Sequence, residues 1–165
     1  LPAPETLVGL GLGSNLGDAP GNIRHALAEI DSRGLAKIAA ASKIYRTPPW
    51  GPVPQPPFAN ACALGLTTLA PYALLAALKE LERAMGREAS ERWGPRLIDL
   101  DILFYGERSL DEPGLTLPHK HLFERAFVLI PLAEIAPDLR IAGRSVAKAA
   151  QAIDAAGVEI WPARD

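Results

Sequence analysis

Residues 92–103 read Arg92-Trp93-Gly94-Pro95-Arg96-Leu97-Ile98-Asp99-Leu100-Asp101-Ile102-Leu103. Two arginines and a tryptophan lie on a turn, and an apolar run carrying two acids follows. Read as a strand, this run alternates its side chains between two faces. Ile98, Leu100, Ile102 and Phe104 then share one face, and Leu97, Asp99, Asp101, Leu103 and Tyr105 share the other. The two acids would lie roughly 7 Å apart along the strand. Two such carboxylates repel each other and are costly to bury. A hard cation such as Mg²⁺ relieves both problems, because it takes oxygen ligands and neutralises their charge. Arg92 and Arg96 suit the phosphates that accompany Mg²⁺. The alternative is that Asp99 and Asp101 pair with these arginines at the surface, as charged residues usually do. The Leu and Ile on both faces argue for a partly enclosed position.

The whole chain sets bounds on this site. Its 165 residues predict one domain spanning 1–165, and 48% hydrophobic with 22% charged residues is enough apolar material for a core. A formal net charge of -2 offers no general attraction to nucleic acid or anionic membrane, so any anion site must be a local cluster of cations. Cys62 is the single cysteine, which excludes an internal disulfide and predicts a small buried residue. No run approaches the ~20 apolar residues of a membrane span. Leu1-Pro2-Ala3-Pro4-Glu5 lacks the basic start of a signal peptide, so a cytoplasmic protein is expected.

Outward from the acidic strand, the elements alternate in type. Thr6 to Leu12 reads as a first strand whose glycines allow close approach of another backbone. Gly13-Ser14-Asn15-Leu16-Gly17-Asp18 is a turn into a helix carrying Ile23, Leu27 and Ile30, with Gly34 as terminator. That turn lacks a complete phosphate-loop motif and reads as structural. Leu35 to Arg46 is a second strand. Thr47 to Pro57 holds six prolines and Trp50, and reads as a stiff loop hinged near Gly51. Phe58 to Thr68 resumes as a strand. Pro71 opens a helix with Leu74, Leu75, Leu78, Leu81 and Met85 as its apolar stripe, ending at Gly86. Glu82, Lys79 and Arg83 read as its solvated charges. Beyond the acidic strand come a turn at 111–114, a short helix within Phe123 to Ile135 interrupted near Pro131, a helix from Val146 to Ala155, and a closing strand from Val158 to Trp161. The order β-α-β-β-α-β predicts a ferredoxin-like α/β fold: an antiparallel sheet, helices packed on one face, and a C-terminal extension.

Asp99 and Asp101 with Arg87, Arg92, Arg96, Arg125, His119 and His121 describe a phosphoryl or pyrophosphoryl transfer site, where a protein mostly positions groups and neutralises charge. No serine or cysteine has a clear activating partner, and the histidines and cysteine show no zinc spacing. His25 reads as a helix-surface residue.

Several stretches extend this reading. GLGSNLGD, S-x-x-Y-R-T-P-P-x-G-P, Q-P-x-F-x-N-A, L-x-x-x-E-x-x-x-G-R, R-W-G-P-R-x-x-D-L-D-I and L-T-L-P-H with Arg125 and Phe127 occur in this order between Leu10 and Asp138. The chain thereby resembles the 6-hydroxymethyl-7,8-dihydropterin pyrophosphokinases of folate biosynthesis. The resemblance implies a ferredoxin-like fold and transfer of the β,γ-pyrophosphoryl group of ATP to the pterin hydroxymethyl oxygen, releasing AMP. It implies two Mg²⁺ ions on Asp99 and Asp101. It makes Arg92, His119 and Arg125 phosphate contacts, and Arg87 and Arg96 cations of a loop that closes over the reaction. It sets Leu75, Ile102, Leu115 and Thr116 around the adenosine, and Thr47, Pro48, Trp50, Phe58, Asn60, Trp93 and Phe127 about the pterin. The side chains agree, since aromatics stack a flat ring and an amide both donates and accepts. A monomer acting on small molecules, with no nucleic-acid or membrane partner, is expected. Glu88-Ala89-Ser90-Glu91 lacks a basic residue that many relatives carry. Gly114 stands where some have arginine, Lys79 where glutamine is common and Lys120 where an aromatic is common. These departures bear on ATP affinity and nucleotide selectivity more than on the reaction. Two rival readings are a non-enzymatic nucleotide or pterin module of the same fold and a nucleic-acid enzyme using the acids as a two-metal site.

Overall fold

A computed structural model describes residues 4–49, 51–86 and 97–162. In chain order the strands and helices are β1 (Thr6–Ser14), α1 (Ala19–Ser32), β2 (Lys37–Ala41), β3 (Tyr45–Thr47), β4 (Phe58–Thr67), α2 (Pro71–Ala84) and β5 (Asp99–Tyr105). After them come β6 (Leu110–Glu112), β7 (Leu115–Leu117), α3 (Ala126–Ile135), β8 (Arg140–Ile141), β9 (Arg144–Ser145), α4 (Val146–Ala152) and β10 (Glu159–Ile160). The main sheet has the order β10-β3-β4-β1-β5, with β2 also on β4, and its pairings are antiparallel. β2 and β3 lie end to end along β4, so they count as one strand in two pieces. Counted so, the order is that of a ferredoxin-like βαββαβ unit. No helix among the described residues is long and apolar enough to cross a membrane.

The sequence Val8-Gly9-Leu10-Gly11-Leu12-Gly13 sets the two faces of the sheet. Val8, Leu10 and Leu12 are buried against Ile23, Ala26 and Ile30 of α1 and Leu74, Leu78 and Leu81 of α2. Both helices therefore lie on one face, and each presents its apolar stripe at helical spacing. On α1 the Asp18 carboxylate accepts from the Gly21 N–H at 3.1 Å, and Gly34 follows the last turn with φ +72°. The glycines of β1 take the opposite face. There Gly9 makes room for a side chain rather than for a backbone: a Cβ on it would lie 2.3 Å from the Phe104 ring.

The expected alternation of the acidic strand holds only as far as Ile102. Gly13 faces Asp99, Gly11 faces Asp101 and Leu10 faces Ile102, but Gly9 faces Phe104, so Leu103 is an extra residue. This bulge reverses the faces beyond it. Leu103 and Phe104 both join the cluster on the glycine face. Tyr105 crosses to the helix side, where its hydroxyl donates to the Leu69 carbonyl at 2.6 Å. Phe104 thus leaves the face of Ile98, Leu100 and Ile102, and Tyr105 leaves the face of the acids.

Three other boundaries differ from expectation. The strand expected from Leu35 to Arg46 breaks between Ala41 and Tyr45. The Cys62 N–H donates to Ser42 Oγ at 3.0 Å, and the Lys43 N–H turns to the Glu134 carboxylate at 3.0 Å, so the ladder is interrupted. α3 runs through Pro131 instead of stopping there; Leu129, Pro131 and Leu132 are all buried, and this packing offsets the missing N–H. α4 ends at Ala152, before Ala155, because Asp154 accepts from the Ala156 N–H at 3.0 Å and Gly157 turns the chain at φ +81°.

The C-terminal extension packs on the glycine face. Leu122, Val128, Leu129, Leu132, Ile141 and Val146 cover Cys62, Leu103 and Phe104 there. The end of this face around Gly13, Asp99 and Asn60 stays open as a cleft.

Candidate active site

The floor of the first cleft is built by strand register. One row across the sheet runs Asp99, Gly13, Asn60, and the next runs Asp101, Gly11, Cys62. Glycine in the middle of each row leaves the floor bare between the acids of β5 and the side chains of β4. Thr47, Phe58, His119, Arg125 and Phe127 line the same cleft. Asn60 Nδ2 donates to Thr47 Oγ1 at 2.7 Å, and both residues are buried. That bond fixes the amide, with its oxygen over Gly13, where an added Cβ would lie only 2.9 Å away. The Arg125 guanidinium lies 5.5 Å from the centroid of the Phe127 ring. Cys62 is buried as expected, and burial with the nearby Glu134 charge pushes its thiol far above the usual range, so it is a lining atom rather than a nucleophile.

A second cleft opens on the other side of β5. Leu75 and Lys79 of α2, Ile102 of β5, and Gly114, Leu115 and Thr116 of the β6–β7 hairpin line it, with Lys120 and His121. The hairpin is tied down where the His119 N–H donates to the Leu103 carbonyl at 2.8 Å. Asp101 and His119 line both clefts, so the two meet at the acid pair. Glu82 is not a solvated helix charge: it is 1% exposed and its Oε1 accepts from Lys79 Nζ at 2.9 Å. The expectation failed because α2 turns this position against the sheet, where Lys79 supplies a partner for the carboxylate. His25 is on the helix surface, beside Glu29.

Electrostatics at the junction follow from burial and neighbours. Burial holds the His119 pKa below 6.5, Arg125 and His121 add to that, and Asp101 opposes it. The His121 N–H donates to His119 Nδ1 at 3.1 Å, so the neutral ring carries its proton on Nε2 and can donate there. Burial lowers the pKa of Arg125, while Asp101, Glu124 and Asp99 raise it; a guanidinium stays charged under that balance. The helix bearing Phe127 is anchored at its far end. The Tyr45 hydroxyl donates to Glu134 Oε1 at 2.5 Å, and burial followed by that bond raises the tyrosine pKa well above its ordinary value.

Of the residues singled out in the sequence, Thr47, Phe58, Asn60, Asp99, Asp101, His119, Arg125 and Phe127 come together in the first cleft. Leu75, Ile102, Leu115 and Thr116 come together in the second. Pro48 lines neither; it is exposed and lies near Gly157. Trp50, Arg87, Arg92, Trp93 and Arg96 lie outside the described residues, as does the whole 87–96 loop expected to close over the site. Sequence reasoning missed Gly11 and Gly13 as cleft floor, although the Leu-Gly alternation of β1 carried that signal. It also missed Asn15, whose Nδ2 donates to Gln55 Oε1 at 2.9 Å and to the Pro56 carbonyl at 3.1 Å, tying the proline-rich loop to the first turn. No local pattern marks that contact.

Asp99 and Asp101 fit a hard cation. They are two oxygen donors on one strand face beside a bare floor, and no group of three or more His, Cys, Asp or Glu among the described residues could hold a metal. Two carboxylates are oxygen donors of the kind that a hard cation such as Mg²⁺ takes.

Residues 9–137 match the family model described as 7,8-dihydro-6-hydroxymethylpterin-pyrophosphokinase (HPPK). The chain is 45% identical over 150 residues to the 2-amino-4-hydroxy-6-hydroxymethyldihydropteridine pyrophosphokinase of Methylorubrum extorquens, covering 91% of this chain and 95% of that one. It is 45% identical over 152 residues to the Pseudomonas aeruginosa protein of the same name, covering 92% and 94%. Among solved structures it is similar to Plasmodium falciparum HPPK-DHPS with pteroate, at a TM-score of 0.72 and 14% identity. That match covers 89% of this chain and 42% of the other, so the chain spans less than half of that protein.

Proposed function

The chain belongs to the 7,8-dihydro-6-hydroxymethylpterin-pyrophosphokinase family, and from that premise we propose that its two clefts hold the two substrates of one pyrophosphoryl transfer. It is a pyrophosphokinase of folate biosynthesis with ATP as co-substrate. The first cleft takes 6-hydroxymethyl-7,8-dihydropterin and the second takes the adenosine of ATP. The hydroxymethyl oxygen gives up its proton to solvent and bonds to the β-phosphorus, the bond from that phosphorus to the bridging oxygen of the α-phosphate breaks, and AMP leaves with that oxygen. Residues 1–165 act in this reading as one pyrophosphokinase domain and as a monomer.

The observation that carries the proposal is that Asp101 and His119 belong to both clefts. A chain of phosphates leaving the second cleft reaches the first past Asp101 and His119. Asp99 and Asp101 would hold two Mg²⁺ ions there. Bound magnesium supplies charge neutralisation of the polyphosphate oxygens and of the attacking oxygen. Arg125 adds a fixed positive charge on one side, and the Nε2–H of neutral His119 adds a donor that needs no proton exchange. Asn60, oriented by Thr47, reads the donor and acceptor edge of the pterin, while Phe58 and Phe127 contact its faces. Arg87, Arg92 and Arg96, with Trp50 and Trp93, complete the phosphate and pterin contacts and close over the reaction, excluding water that would otherwise compete with the pterin hydroxyl.

Equilibrium binding tests the two-cleft arrangement. A reduced pterin alcohol and a non-hydrolysable ATP analogue should bind together, each without displacing the other. Mutual competition would mean a single site and would sink the proposal.

A further inference from the structure

We propose that Lys79 binds the polyphosphate of the nucleotide in the second cleft, and that Glu82 is the positioning residue that holds it there. The inference rests on the reading that this cleft takes ATP. Nζ of Lys79 lies 2.9 Å from Glu82 Oε1 and 3.5 Å from the Leu100 carbonyl oxygen. An ammonium has three N–H donors, so these two acceptors leave one for a ligand. The side chain of Lys79 is 39% exposed and that of Glu82 1%, so the cation stands between a buried carboxylate and the open cleft.

Its place along the cleft gives the ligand class. Leu75 on α2 and Ile102 on β5 line the apolar end. Lys79 is one turn further along α2, about 6 Å on. Its second acceptor, Leu100, is correspondingly two residues back along β5, between Asp99 and Asp101. The cleft therefore changes from aliphatic to cationic toward the junction with the acid pair. A nucleoside seated at the apolar end directs its phosphates along that gradient, past Lys79. Fixing a long side chain in advance also reduces the rotamer entropy lost on binding. Lys148, exposed on α4 and lining neither cleft, is the natural control.

Calorimetric titration of two probes separates the roles: an ATP analogue with a methylene bridge between the α- and β-phosphorus, with Mg²⁺, and adenosine alone. Lys79→Gln should weaken the analogue about tenfold, the worth of one charge-assisted hydrogen bond, and leave adenosine within about twofold. Lys79→Arg should recover most of the loss, and Lys148→Gln should have little effect. The double variant Lys79→Gln, Glu82→Gln removes both charges of the pair at once and should show the same selective loss. Parent-like analogue affinity in both variants, or equal loss of analogue and adenosine, overturns the inference. A parent that forms no AMP from ATP and the pterin alcohol defeats the pyrophosphokinase reading instead, so the two failures are distinguishable.

Discussion

Gly13→Ala should weaken pterin binding selectively, through one added methyl group. Gly13 has no positive φ, so alanine is not excluded by its backbone. The obstacle is the Asn60 amide oxygen, 2.9 Å from the new Cβ, a separation that non-bonded atoms of these types do not tolerate. The amide must swing away, and its 2.7 Å bond to Thr47 Oγ1 is then strained or lost. A buried polar group deprived of its partner costs roughly 1–3 kcal/mol. If that loss falls on the pterin contact, affinity drops by about 5- to 150-fold. ATP-analogue binding in the second cleft should stay within about twofold, since Gly13 does not line it. Fluorescence titration of the reduced pterin alcohol and calorimetry of the analogue give both numbers. Parent-like pterin affinity in Gly13→Ala would refute the argument that the bare glycine floor orients Asn60. Equal losses for both ligands would refute the assignment of separate clefts.

Asp99→Ala and Asp101→Ala should each abolish nearly all turnover in Mg²⁺ while the melting temperature holds, because one less carboxylate relieves repulsion in the metal-free protein; parent-like turnover in either would count against the metal assignment. Phe104→Ala should cost about 3–5 kcal/mol in urea unfolding, since the ring fills the space above Gly9, and a loss under about 1 kcal/mol would contradict that packing. Phe58→Ala should raise the dissociation constant for pterin well above any change for the ATP analogue, and equal changes would make this strand end structural. His119 has a pKa below 6.5 in the folded protein, so the unfolded chain binds its proton more readily. Its contribution to stability is full above pH 6.5 and is lost as pH falls toward the folded value. His119→Gln should flatten the stability profile in that window, and an unchanged slope would show that His119 is not held neutral.

What was legible in the sequence was whatever depends on local pattern. The Leu-Gly alternation of β1, the apolar stripe of α2, the acid pair and the helix terminators at Gly34 and Gly86 are set by neighbours a few residues apart. What was hidden depends on distant partners. The bulge at Leu103 exists because Phe104 must meet Gly9, and nothing within β5 announces that register. The break after Ala41 needs Glu134, 91 residues from Lys43. Glu82 looks like any surface acid of a helix until α2 is laid on β5 and Lys79 closes over it. The site divides in the same way: the acids and aromatics were readable by type, whereas the glycine floor and the meeting of two clefts at Asp101 and His119 emerge only from strand register.

Phosphorus-31 NMR of the full chain with ATP, Mg²⁺ and 6-hydroxymethyl-7,8-dihydropterin tests whether the β-phosphorus of ATP meets the pterin hydroxymethyl oxygen beside Asp101 and His119. AMP and a pterin diphosphate ester should appear in equal amounts, and neither from Asp101→Ala. ADP with a pterin monophosphate, or free pyrophosphate with no pterin ester, would contradict it.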